Sequence, residues 1–216
     1  MLVVSEEPVV VNENNAHGGM RNYVNDTPWH TSGWSLEVYT WGASAPYFVT
    51  TAAHTPNNVN FIQDPRFGLN SYPFYSEYLG FWGDIQAHTT SAIILPAFYY
   101  SSDIYNARAV LSWEPFAGIS IGESVCHFSR VQNSSDCAIV QDIWRACGEA
   151  GLTVMDKHIT VSGDSGSGWF RGHKAFGAHQ GYCGGRSSWM PVDFIDEALN
   201  RTLPPGFYVR LYLSGG

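Results

Sequence analysis

The chain has 216 residues, with 22 glycines, 11 prolines, 15% aromatic and only 14% charged side chains. That is too apolar and aromatic for a disordered chain and too rich in turn residues for a helical bundle. A net charge of −8, with only 11 Lys and Arg spread thinly, argues against the clustered basic face of a nucleic-acid binder. No apolar run approaches the ~20 residues of a membrane helix, and the longest, around Ser91–Tyr100, contains Pro96.

In chain order, Met1–Val11 lacks a cationic start followed by a long apolar stretch, so no secretory signal is visible. Two readings stand: a chain that stays inside, or a processed form carrying an added Met1. Residues 1–16 contain the polar run Asn12-Glu13-Asn14-Asn15 and read as a loosely held arm or leader remnant. Ser35–Trp41 then alternates polar and apolar, as a half-buried strand does. Tyr47–Thr50, Ala92–Leu95, Ser124–Phe128, Ala138–Val140 and Lys174–Ala178 are further short strand runs, most of them set apart by Gly, Asn, Pro or Ser clusters. This pattern predicts an all-β barrel or sandwich. One helix is predicted near the end, where Val192, Ile195 and Leu199 share a face behind Pro191, and Pro204-Pro205 stops it. A soft boundary near Ser101–Trp113 divides residues 17–105 from residues 106–216, which include the helix.

Cys126, Cys137, Cys147 and Cys183 all lie in the second half. Their even number favours two disulfides and an oxidising compartment over free thiols. Without a Cys-x2-4-Cys pair, a zinc site is not expected.

The richest segment is Ser162-Gly163-Asp164-Ser165-Gly166-Ser167-Gly168, followed at once by Trp169-Phe170. A serine hydroxyl becomes nucleophilic beside a base and needs N–H groups aimed at the developing oxyanion. Glycines beside it permit the tight turn. The base must be a histidine held by a carboxylate. His54 follows the small residues Thr51-Ala52-Ala53, and Asp84 stands in the aromatic setting Gly80–Ile85. A lone buried His or Asp is usually structural. The ordered set His54, Asp84, Ser165 is what points to a triad.

Thr51-Ala52-Ala53-His54, Asp84-Ile85 and Gly163-Asp164-Ser165-Gly166 resemble the three signatures of chymotrypsin-like serine peptidases. Gly122–Cys126 and Ala175–Ala178 through Pro191–Leu199 are similar to the bacterial streptogrisin and α-lytic branch, and Gly18-Gly19-Met20 to the family's mature start. The resemblance covers roughly residues 17–203. It implies an all-β chain of two six-stranded antiparallel barrels, a crevice between them, and a short C-terminal helix. It implies Ser165 as nucleophile, His54 as base, Asp84 fixing the imidazole, and the N–H groups of Gly163 and Ser165 as the oxyanion hole. It also implies pairing of Cys126 with Cys137 and of Cys147 with Cys183, a secreted monomer, peptide or protein substrates, and no metal, cofactor, nucleic acid or membrane.

Departures from the family pattern fall around the pocket. Thr55 replaces a common cysteine, Ser167 replaces a glycine, and Gln180 stands where a serine supports the catalytic carboxylate. Ile159, six residues before Ser165, argues against Arg or Lys substrates, which need a buried counter-charge. Thr160 and His179, placed as in glutamyl endopeptidases, suit a Glu or Gln side chain, with Ser162 as a third donor. Tyr182 stands where it would narrow the pocket.

Other classes fit less well. An α/β-hydrolase needs an acid between its serine and a later histidine, and none lies between Ser165 and His173 or His179. A subtilisin-like order through Asp26, His54 and Ser165 needs more helices than the pattern provides, and no His-Glu-x-x-His occurs. A catalytically silent binding protein on the same two-barrel frame is the alternative from another class.

Overall fold

The computed structural model describes residues 9–10, 15–24, 27–40, 43–44, 47–64, 68–103 and 106–215. Of the segment read as an arm, residues 1–8 and 11–14 lie outside the described residues. Val9–Val10 form a strand opposite Asn106–Ala107.

The second half forms a closed barrel. Ser124–Ser129, Ser134–Cys147, Ala150–Met155, Gly168–Arg171, Lys174–Cys183 and Arg186–Pro191 pair antiparallel, and the last two close the ring by pairing with each other. Ser112–Trp113 adds alongside Lys174–Ala175 in parallel. The alternating pattern of Ser124–Ser129 sends Val125, His127 and Ser129 inward, all buried. Val125, Val140, Met155, Trp169, Phe176 and Trp189 fill the interior. The Trp169 and Trp189 rings stack at 6.2 Å, and Trp189 Nε1 donates to Met155 Sδ at 3.0 Å. Truncating either indole to alanine would cost about 3–5 kcal/mol.

The strands of the first half divide among three sheets. Phe74–Gly80, Gly83–His88, Phe48–Thr51 and Ser35–Thr40 run in that order in the largest. Its edge is completed by Phe207–Leu211, so the chain's last strand returns to the first half. Leu36 and Val38 of Ser35–Thr40 face the core while Glu37 and Tyr39 face outward, as the alternation predicts. Asn15–Gly18 lies parallel to Ile93–Phe98, which departs from an all-antiparallel arrangement.

The helix runs Val192–Asn200, with Pro191 in the extended cap position just before it. Val192, Ile195, Ala198 and Leu199 are buried in the main core. It ends before the two prolines, because Thr202 Oγ1 and the Thr202 and Leu203 N–H groups all take the Leu199 carbonyl. No helix among the described residues is long and apolar enough to cross a membrane.

The disulfides are Cys126–Cys137, between directly opposed strand residues, and Cys147–Cys183. The halves interlock through Trp34, fully buried, whose Nε1 donates to Gly177 O at 2.9 Å.

Candidate active site

The two halves approach closely where Gly33 and Gly166 face Thr50–Ala52. A Cβ on Gly33 would lie 2.4 Å from Gly166 O, and one on Gly166 would lie 2.6 Å from Ala52 N. Gly166 also has φ +88°. Only glycine permits both the approach and the left-handed backbone. The small residues before His54 therefore admit the main chain of the Ser165 loop.

His54 stands on the turn after Phe48–Thr51. Asp84 is the second residue of Gly83–His88, whose later residues pair with Phe48–Thr51. This antiparallel pairing carries Asp84 up to the turn. Asp84 Oδ2 lies 2.6 Å from His54 Nδ1, and Asp84 Oδ1 accepts the Ala53 N–H at 3.1 Å. A carboxylate only accepts, so Nδ1 carries the proton and Nε2 is left basic. Burial opposes a charge on His54, but the hydrogen bond and negative charge of Asp84 outweigh it and raise the imidazole pKa above its usual 6.5.

Ser165 sits in a turn held by the Asp164 N–H on Val161 O and the Ser167 N–H on Asp164 O. Gly163, at φ +99°, makes that turn. Asp164 is fully buried; Ser129 Oγ donates to its Oδ1 at 2.8 Å and the Val161 N–H to its Oδ2 at 2.9 Å. Burial raises its pKa, against the pull of these donors. The Ser165 carbonyl accepts the Thr31 N–H at 3.3 Å, and Thr31 Oγ1 donates to Gly163 O at 2.8 Å. Among the described residues neither the Gly163 nor the Ser165 N–H donates to a protein acceptor, and no hydrogen bond joins Ser165 Oγ to His54. Such contacts commonly tighten only when substrate is bound.

Gln180 grips Asp84 by its main chain, with Oε1 accepting the Asp84 N–H at 2.6 Å and Nε2 donating to Asp84 O at 2.8 Å. His30 lies edge-on to His54 with ring centres 5.2 Å apart, and its Nδ1 shares a short hydrogen bond with Thr55 Oγ1. Burial, then the neighbouring His54, lower its pKa to about 4, so it is neutral at pH 7.

Thr160 and His179 are each 1% exposed. Thr160 Oγ1 meets Ser187 Oγ at 2.9 Å, and Tyr182 Oη donates to Thr160 O at 3.0 Å, bridging two walls. The His179 ring is buried, and burial lowers its pKa to about 3 against the pull of a backbone hydrogen bond with Ser188. Behind it, 5.6 Å away, lies the buried His127 ring. Ser167 Oγ donates to Asp164 O at 2.5 Å, so its contact with His127 Nε2 has the imidazole as donor. Ser162 is separated from Thr160 and His179: it is exposed and lines a different pocket, with Arg21 and His30. A larger cleft of about 810 Å³ runs past Asp84, Gln180, Tyr182 and the Cys147–Cys183 disulfide.

Sequence reasoning missed His30, His127, Ser187 and the Gln180 clamp. The inward face of Ser124–Ser129 held a signal for His127; nothing local pointed to His30 or Ser187, and Gln180 was visible only as a departure from the family pattern, not as a clamp.

No protein-family model matches the chain, and no curated protein matches its sequence. Solved structures do match its fold. The chymotrypsin of Cellulomonas bogoriensis is 17% identical with a TM-score of 0.66, covering 93% of this chain and 100% of that one. Protease A of Thermobifida fusca is 18% identical at TM-score 0.63, covering 92% and 100%. A glutamic acid specific serine protease is 16% identical at TM-score 0.65, covering 91% and 100%. The fold is that of the bacterial chymotrypsin-like serine proteases.

Proposed function

We propose that the chain is a serine endopeptidase. Ser165 attacks the peptide carbonyl as His54 Nε2 takes its proton. The N–H groups of Gly163 and Ser165 hold the oxyanion. His54 then gives the proton to the leaving amine, and water releases the acyl group by the same route. The observation that carries this reading is the 2.6 Å contact of His54 Nδ1 with Asp84, beside a glycine-shaped serine turn whose Gly163 and Ser165 N–H groups meet no protein acceptor among the described residues. Two disulfides suit secretion into an oxidising space.

We further infer a preference for Glu or Gln before the scissile bond. Thr160 and His179 bring a buried hydroxyl and a buried imidazole, the donor types that a carboxylate or amide side chain requires. The glutamic acid specific protease of like fold uses a histidine triad in substrate binding. Ile159 in place of an acid offers no counter-charge for Arg or Lys. A peptide-library cleavage profile with a Ser165→Ala control tests both statements. Cleavage after Glu or Gln that vanishes in the control is expected, and His179→Ala should lose this preference. Cleavage after Arg or Lys would refute the pocket reading. A folded protein that cleaves nothing would favour a binding role.

A further inference from the structure

A pocket of about 180 Å³ opens between the two halves, walled by Arg21, Pro28, His30, Thr31, Ser162 and Gly163. Thr160 and His179, assigned above to the acyl side, line none of it. Gly163 supplies an oxyanion donor, and His30 lies edge-on to His54. A group in this pocket therefore sits against Gly163 of the serine turn and against His30, the ring next to the imidazole that protonates the leaving amine.

The pocket contains an uncompensated cation. Arg21 Nη2 donates to the Arg130 carbonyl at 3.1 Å, and Arg21 meets no carboxylate at ion-pair distance among the described residues. Arg130 has none either: its Nη1 donates to Asn133 Oδ1 at 2.9 Å and its guanidinium lies 5.9 Å from the Tyr99 ring centre. Burial lowers the Arg130 pKa; Tyr99 and Tyr23 pull it up, and the charge of Arg21 adds to the lowering. The chain has 19 acidic residues against 11 Lys and Arg, yet this pair is left without one. His30, neutral at pH 7, adds no charge to the pocket. An arginine fork in a partly desolvated pocket is suited to a carboxylate.

We propose that this pocket binds an acidic side chain of the leaving segment, so that Arg21 selects Asp or Glu just after the scissile bond. The proposal rests on the peptidase reading and adds a second determinant on the opposite side of the cleaved bond. The carboxylate of the substrate takes the place of the missing acid, and the charge-assisted contact holds the leaving segment in register while the amine is protonated.

The test uses the full chain and paired quenched peptides. They share one acyl side and differ only at the first and second positions after the scissile bond, Glu or Asp against Gln or Asn. The kcat/KM ratio of acidic to amide peptide should be about tenfold for one of these positions. It should shrink as salt is raised, persist in part in Arg21→Lys, and collapse toward one in Arg21→Gln. A ratio at or below one in the unaltered protein overturns the proposal, whether or not the variants fold. So does a ratio that Arg21→Gln leaves intact. Cleavage without an acidic preference refutes this inference alone; failure to cleave any peptide refutes the peptidase reading and this inference with it.

Discussion

Gln180 holds Asp84 by its peptide groups, not by its carboxylate, with the side-chain amide closing two hydrogen bonds of 2.6 and 2.8 Å on the N–H and C=O of that one residue. Asp84 therefore hangs from the second half of the molecule by its backbone and reaches the first by its side chain. Its two carboxylate oxygens are free for Ala53 and His54. Gln180 is a positioning residue in this account. Gln180→Glu cannot donate to Asp84 O and should lower kcat/KM by about tenfold to a hundredfold through a misplaced imidazole. The ascending limb of the pH profile should move with it, which loss of packing alone would not cause.

The pH dependence follows from the sign of the His54 shift. The imidazole acts as a base only when neutral, and Asp84 raises its pKa above 6.5. Activity should rise with pH through a midpoint above 6.5. Asp84→Asn removes the charge and favours the wrong tautomer, so the rate should fall by about 10⁴-fold. Rates of covalent inactivation measured against pH check both.

His179, with a pKa near 3, stays neutral across the working range. The ratio of cleavage after Glu to cleavage after Gln should therefore be flat between about pH 6 and 9, where neither the substrate carboxylate nor His179 titrates. An inflection in that ratio near neutrality would show that His179 ionises in the pocket.

The two disulfides should separate in their effects. Cys183 lies three residues beyond Gln180 on the same strand, and its bond to Cys147 lines the large cleft. Replacing both cysteines of this pair by serine should cost about 3–4 kcal/mol and lower kcat/KM as well. The same change at Cys126 and Cys137, which join two strands of the barrel wall and do not line that cleft, should lower the melting temperature with less loss of turnover. Thermal unfolding and steady-state kinetics on the two double variants make the comparison.

Gly166→Ala tests the close approach of the halves. The new methyl would press on Ala52 N and Thr51 while the residue is held at φ +88°. Strain of about 1–3 kcal/mol is expected from the backbone alone. Gly122→Ala, at φ +93° with nothing within 4 Å, carries the backbone term without the contact. A larger fall in melting temperature for Gly166→Ala than for Gly122→Ala is the expected result.

Much of this arrangement is legible in local sequence. Alternation over Ser35–Trp41 gives the strand Ser35–Thr40, the short run Ser124–Phe128 gives Ser124–Ser129, and the Val192, Ile195, Leu199 spacing gives the helix. Order and local motif point to His54, Asp84 and Ser165, of which the structure joins the first two by a hydrogen bond. Partner choice is not legible, because period-two alternation says which face is buried but not which strand lies beside it. Hence the return of Phe207–Leu211 to Ser35–Thr40 and the parallel pairing of Asn15–Gly18 with Ile93–Phe98 are found only in the structure. Ser162 shows a local limit of the same kind. The sequence places it beside Thr160 and His179 as a third donor, but the turn that begins at Val161 brings Ser162 out toward Arg21. Gln180 was legible as a departure, and its grip on a backbone 96 residues away was not.

The most direct measurement is covalent labelling with a fluorophosphonate, with the adduct mapped by mass spectrometry. The account predicts one adduct, on Ser165 Oγ, formed at a rate that collapses in His54→Ala. A folded chain that takes no label, or whose Ser165 labels equally fast without the His54 imidazole, would contradict it.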